Sequence, residues 1–129
     1  MEISIDKPEP LLELTAACDA YEAALISNDL ETMDKLFWES PLTLRYGVGE
    51  NLYGIDAIRE FRAARPGGSP NREVLRREIH VFGGDVGVCS LEFRRTGAST
   101  IGRQSQSWIR TSDGWKVAAA HVSLMGASS

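Results

Sequence analysis

At 129 residues, with 43% hydrophobic and 25% charged side chains, the chain fits one domain whose ordinary core needs no staples. A net charge of −4 argues against a broad nucleic-acid or anionic-membrane surface, while leaving room for a local basic pocket. The only two cysteines, Cys18 and Cys89, lack C-x-x-C spacing and are too few for a disulfide framework or zinc cluster, so they read as small buried side chains.

The stretch Met1 to Pro10 is acidic and carries two prolines. It has neither a basic start nor an apolar core, so it does not read as a secretion signal. No apolar run of about 18 residues marks a membrane span, and the cytoplasm is the expected address. From Leu11 to Ser27 apolar residues recur at helical spacing, at Leu11, Leu14, Cys18, Tyr21 and Leu25. Pro10 falls where a first-turn proline is tolerated. Asn28 followed by Glu31 predicts an N-cap with a capping box, opening a second short helix through Trp38 that Pro41 ends. Leu42 to Val48 alternates, with Leu44 and Tyr46 on one face and Thr43 and Arg45 on the other. A turn-rich stretch from Gly49 to Gly54 leaves room for a short strand at Leu52-Tyr53. Asp56 to Arg65 predicts a third helix with Ile58 and Phe61 inward, and Pro66 to Pro70 a loop.

Beyond the loop the period becomes alternating. Strands are expected at Glu73 to Phe82, Asp85 to Arg95, Thr100 to Thr111 and Gly114 to Met125, joined by hairpin turns. Helices first and hairpins afterwards define an α+β class: three N-terminal helices packed in a curved antiparallel sheet, in one domain spanning 1–129. The last strand is apolar on both sides, with Trp115, Val117 and Ala119 on one and Ala118, Ala120, Val122 and Leu124 on the other. Such a strand is packed on both faces. A two-fold homodimer through the outer face is therefore expected.

Several polar residues take positions where the pattern expects apolar ones. Tyr21 lies on the stripe of the first helix, where a tyrosine commonly ties its hydroxyl to a backbone group. Arg45 opposes a packed Leu/Tyr face, and a buried guanidinium needs an anion. Glu92 is one internal candidate, and a substrate carboxylate is the other. In Gly102-Arg103-Gln104-Ser105-Gln106-Ser107-Trp108 either the Arg103/Ser105/Ser107 set or the Gln104/Gln106/Trp108 set faces inward, with Trp108 inward favoured. His121 shares a face with Val117 and Ala119 and is expected to point toward the helices. His80 sits beside Phe82. Two distant histidines without H-x-H or H-E-x-x-H spacing do not suggest a metal site, and neither a phosphate-cradling loop nor a Gly-x-Ser-x-Gly elbow is present. No cofactor is expected.

The helix-helix-strand opening, the Arg103-Gln104-Ser105-Gln106 segment with Leu44-Arg45-Tyr46-Gly47, and the ending Gly114-Trp115 through His121-Val122-Ser123 resemble the NTF2-like superfamily. Within it the chain is similar to the AtzH-like group (DUF3225), which includes a protein of oxalurate catabolism. The Trp-to-Ser ending marks only the superfamily, whereas the Arg-Gln-Ser-Gln and Leu-Arg-Tyr-Gly segments are more specific. The resemblance implies a cone-shaped fold, a homodimer or higher oligomer, and work beside an amidase on small nitrogen-rich compounds. For the group's namesake it implies conversion of 1,3-dicarboxyurea to allophanate in cyanuric acid degradation. It also implies that Tyr21 and Arg45 carry the activity.

Those residue types suit an amidohydrolase or decarboxylase needing neither metal nor covalent nucleophile, the alternative being a non-catalytic ligand binder or accessory partner of a neighbouring amidase. A guanidinium fork holds a carboxylate bidentately. A nitrogen losing its carboxyl group must gain a proton, which a tyrosine hydroxyl can donate. Trp38 and its neighbours are expected to supply an apolar wall, and Gln104, Gln106 and His121 to bind substrate. The expected partner is a small carboxylated amide or urea, without nucleic acid or membrane.

Overall fold

A computed structural model describes residues 2–126 of the chain. The first helix, α1 (Pro8–Ser27), starts three residues ahead of the predicted position because Pro8 and Pro10 both fit its first turn, where no N–H is required. Its buried residues Leu14, Cys18, Tyr21 and Ala24 lie three or four apart and form the stripe that enters the sheet. Asn28 does not open the next helix. It closes α1 in the left-handed region at φ 55°, a conformation that asparagine tolerates. The cap of α2 (Leu30–Leu36) is Asp29, whose carboxylate accepts from the Thr32 N–H at 3.2 Å. This helix ends before Trp38, because Phe37 forms a parallel bridge with Val117 and the Trp38 N–H donates to the Val117 carbonyl at 2.9 Å.

Two short strands follow, β1 (Leu44–Tyr46) and β2 (Asn51–Tyr53), then α3 (Ile55–Ala64). The long strands are β3 (Arg72–Phe82), β4 (Val86–Arg95), β5 (Ile101–Thr111) and β6 (Gly114–Leu124). They form one six-stranded sheet in the order β2-β1-β6-β5-β4-β3. All pairs are antiparallel except β1 with β6, where Leu44, Arg45 and Tyr46 lie opposite Ala119, Ala120 and His121. The three helices occupy the concave side, which is the expected α+β cone. Among the described residues no helix is long and apolar enough to cross a membrane.

Two bulges bend the sheet. One lies in β3 between Val74 and Arg76, and the other opposes Ser107 and Trp108 to Ala119 and Val117, leaving Ala118 as the extra residue in β6. The second bulge corrects the reading of the last strand. Trp115 and Val117 face inward, but beyond Ala118 the parity reverses, so Ala120 and Val122 are buried while His121 is exposed on the outer face. The strand's apparent two apolar faces are largely one face interrupted by a bulge.

In β5 the uncertainty of face resolves cleanly. Gln104, Gln106 and Trp108 are buried, and Arg103, Ser105 and Ser107 are exposed. The driest packing lies where Leu14, Phe37, Ile58, Val81, Trp108 and Val117 meet, each at most 2% exposed. Cys18 of α1 faces Cys89 of β4 inside this core, and that thiol contact, together with burial, pushes the Cys18 thiol up.

Candidate functional site

At the opposite end of the strands, helices and sheet diverge around a cavity of about 340 Å³. Tyr21 and Leu25 of α1, Arg45 of β1, Glu50 of the β1–β2 turn and Phe61 of α3 form one side. Arg72 of β3, Phe93 and Arg95 of β4, Gln104 of β5 and Val122 of β6 form the other. A narrow annex of about 20 Å³, room for roughly one water, continues from Tyr21 and Arg45 toward Met33 and Arg62. The main cavity lies in the volume range of small-molecule sites.

Tyr21 is 5% exposed, and its ring tilts against Phe37 with centroids 6.0 Å apart. Its hydroxyl takes no hydrogen-bond partner among the described residues, although the residue lines both the cavity and its annex. A core tyrosine tied to a backbone group would not look like this.

Arg45 does have an internal partner, and it is Glu50 rather than Glu92. Its Nη1 donates to Glu50 Oε1 at 2.7 Å, while the other carboxylate oxygen accepts from the Gly49 N–H at 3.2 Å. Glu92 is exposed and lies opposite Arg103, its side chain on the outer face. The turn explains why glycine follows Leu44-Arg45-Tyr46. A Cβ at Gly47 would collide with the Glu50 carboxylate and sit 2.9 Å from Arg45 Nη1. The glycine gives the ion pair its room. One guanidinium nitrogen is thereby committed, and the remaining donors of the fork stay available.

Arg72 is held more fully. It donates to both oxygens of Glu22, at 3.0 and 2.7 Å, and to Gln104 Oε1 at 3.1 Å, with its guanidinium 4.6 Å from the Phe93 ring centroid. Arg65 and Arg95 differ from both. Neither has a carboxylate partner within salt-bridge distance among the described residues. Each lies against an aromatic face, Arg65 4.6 Å from the Phe61 centroid and Arg95 5.8 Å from that of Phe93. Burial, and then the neighbouring Arg45 charge, hold the Arg65 guanidinium below its ordinary value. In the annex Arg62 pairs with Asp34 at 2.9 Å and stacks 4.2 Å from the Phe37 centroid, while its Nη2 is buried without a partner among the described residues.

The structure brings Tyr21, Arg45 and Gln104 to one cavity and leaves the other candidates outside it. Gln106 is buried deeper, where its Oε1 accepts from Trp108 Nε1 at 3.2 Å and its Nε2 lacks a partner among the described residues. Trp38 lines a separate surface groove with Lys35, Arg59 and Lys116, so it is no wall of this cavity. His121, turned outward by the bulge, stacks edge-on against Tyr46 at 5.5 Å. Arg65, Arg72, Arg95 and Glu50 were not anticipated. Arg95 alone left a signal, because it shares the inward parity of Phe93. Among the described residues no three His, Cys, Asp or Glu side chains converge on a metal-sized site.

Comparison with known proteins agrees with this architecture. A Salmonella enterica protein of the nuclear transport factor 2 (NTF2-like) superfamily, 23% identical, superposes with a TM-score of 0.76 over 93% of this chain and 94% of its own, a likeness of fold. A protein of unknown function from the DUF3225 family of Pectobacterium atrosepticum is 48% identical, with a TM-score of 0.92 and 95% of each chain covered. A cystatin-like fold protein from Burkholderia xenovorans is 39% identical with the same TM-score, covering 98% of this chain and all of its own. The AtzH-like family matches residues 3–128, and the chain belongs to it. No curated protein matches.

Proposed function

We propose that the cavity binds a small carboxylated urea and removes a carboxyl group from its nitrogen, converting 1,3-dicarboxyurea to allophanate. The observation that carries this reading is the Tyr21 hydroxyl, without a hydrogen-bond partner among the described residues, on the wall of a cavity that also holds four guanidiniums. The donors of Arg45 not committed to Glu50 receive one carboxylate of the substrate. The bond between the departing carboxyl carbon and nitrogen then breaks, and its electron pair stays on nitrogen. Carbon dioxide leaves, and nitrogen takes the Tyr21 proton, which solvent later restores. Arg65 lines the same cavity and annex as Tyr21, and its positive charge would offset the negative charge left on the tyrosine oxygen as the proton leaves. The partly enclosed site limits water and strengthens each of these interactions.

Incubation of the purified protein with 1,3-dicarboxyurea, followed by allophanate formation, tests the assignment. Tyr21→Phe is expected to lower kcat by at least about 100-fold with KM little changed, the general-acid contribution being about 10²–10⁴-fold. Arg45→Lys is expected to raise KM more than it lowers kcat. Full turnover by both variants would end the assignment. Saturable binding without product would instead support a carrier or accessory subunit of a neighbouring amidase. The same reading includes a homodimer through the outer sheet face, where Tyr46, Tyr53 and His121 cluster and the two tyrosine hydroxyls lie 3.1 Å apart. A monomer in sedimentation equilibrium at micromolar concentration overturns that part.

A further inference from the structure

The charge of the cavity is opposite in sign to that of the chain. The protein carries −4 overall, yet among the described residues four arginines and a single acidic residue, Glu50, line the cavity. Glu50 is bonded to Arg45, and Glu22 behind the wall is bonded to Arg72, so these two guanidiniums are already balanced. The remaining two, Arg65 and Arg95, have no carboxylate partner among the described residues.

They sit in different parts of the wall. Arg65 follows α3 and lines the cavity and its annex together with Arg45 and Tyr21. Arg95 ends β4 on the sheet side, directly opposite Arg72 across the β3–β4 ladder. Like charges placed opposite each other in a ladder are destabilising. A half-buried guanidinium without an anion is costly as well. A fold that keeps both costs at one cavity is built to receive negative charge there, and in two places.

Building on the proposed reaction, we propose that the cavity is a two-ended clamp for dianions. Arg65 takes one terminal carboxylate of the substrate beside Arg45 and Tyr21, and Arg95 takes the other beside Arg72. The two arginines are then specificity-determining positions that separate a dicarboxylate from its monocarboxylate counterpart. The same surplus charge favours release, because loss of carbon dioxide turns a dianion into a monoanion that can satisfy only one end.

Glutarate has three atoms between its carboxyl carbons, as dicarboxyurea does, and has no nitrogen–carboxyl bond to lose. Glutaramate has the same length with one end uncharged. In calorimetric titration the wild-type protein is expected to bind glutarate about 10- to 100-fold more tightly than glutaramate, the range of one charged hydrogen-bonding contact. Arg65→Gln and Arg95→Gln should each reduce that ratio to within about threefold of unity, while Arg65→Lys and Arg95→Lys keep most of it. Residual glutaramate binding by the Gln variants shows that the cavity remains folded. A wild-type ratio near one, or a ratio retained in either Gln variant, overturns the proposal. Neither probe can be decarboxylated, so the result is independent of turnover. If the protein leaves dicarboxyurea intact yet shows the arginine-dependent ratio, the chemistry fails and the clamp stands. Turnover without the ratio gives the reverse.

Discussion

The two ends of the cone use the same strands for opposite purposes. Along β5 the inward residues run from Gln104 through Gln106 to Trp108, and along β4 from Arg95 and Phe93 through Leu91 to Cys89. At the Trp108 end every inward side chain finds apolar neighbours, and the helices close down on the sheet. At the Arg95 end guanidiniums replace them, partly balanced by Glu22 and Glu50, and a cavity remains. One end maximises burial. The other retains charge in a partly buried place, which stability alone does not select. This polarity along the strands, rather than any single residue, sets the cavity end apart from the packed end.

Breaking the closed end should have the largest effect. Trp108 is fully buried between sheet and helices, and Trp108→Ala removes its contacts and leaves a cavity. A loss of about 3–5 kcal/mol in urea denaturation is expected. Below the new midpoint the ratio of glutarate to glutaramate binding should be unchanged. A simultaneous loss of that ratio would show that the two ends are not separable.

The next variant joins them. Gly102 lies opposite Phe93, whose ring covers it so closely that an added Cβ would overlap the ring atoms. Phe93 in turn lies beneath Arg72 and Arg95. Gly102→Ala should cost about 1–3 kcal/mol by overpacking and also weaken dianion binding, because the displaced ring moves both guanidiniums. A stability loss with unaltered binding would mean that Phe93 is not their platform.

At the open end the sign should reverse. Arg65 is partly buried and near Arg45, without a carboxylate of its own among the described residues. Arg65→Gln removes a like-charge contact and is expected to raise stability by a few tenths to about 1 kcal/mol while it lowers affinity for the dianion. A thermal midpoint lower than that of the wild type would place Arg65 among the structural arginines.

This division also explains what could be read from the sequence. The closed end is written in periodicity, with the α1 stripe and the alternation of β4 and β5 leading to the observed core. The open end depends on single events that periodicity does not carry. The bulge at Ala118 reversed the parity of β6 and moved His121 outside. The bridge of Phe37 to Val117 stopped α2 short and directed Trp38 to another groove. Arg45 found Glu50, five residues away through a tight turn, instead of a partner across the sheet. Tyr21 and Arg45 were singled out partly through family resemblance. The arginines that distinguish the cavity lie at the ends of elements, where local patterns are weakest.

The smallest effect concerns the rim of the closed end. The segment before α1 lies along β3, with the Asp6 N–H donating to the Val81 carbonyl at 2.8 Å and Asp6 Oδ1 accepting from the Val81 N–H at 2.7 Å. Asp6 Oδ2 meets His80 Nδ1 at 2.8 Å. The hydrogen bond with His80 holds the Asp6 carboxyl below its ordinary 3.8, and the same bond raises His80 above 6.5. The raised His80 stabilises fully below its unfolded value, and this contribution fades as pH rises through the folded one. The lowered Asp6 contributes above its unfolded value and loses that as pH falls through the folded one. Both act together between about 4 and 6.5. Hydrogen-exchange protection of the Asp6 and Val81 amides should therefore be greatest in that window and decline toward pH 8. His80→Gln should flatten the decline without changing protection around Trp108. Equal loss at both places would mean that the strap is part of the core and not a fastening on its rim.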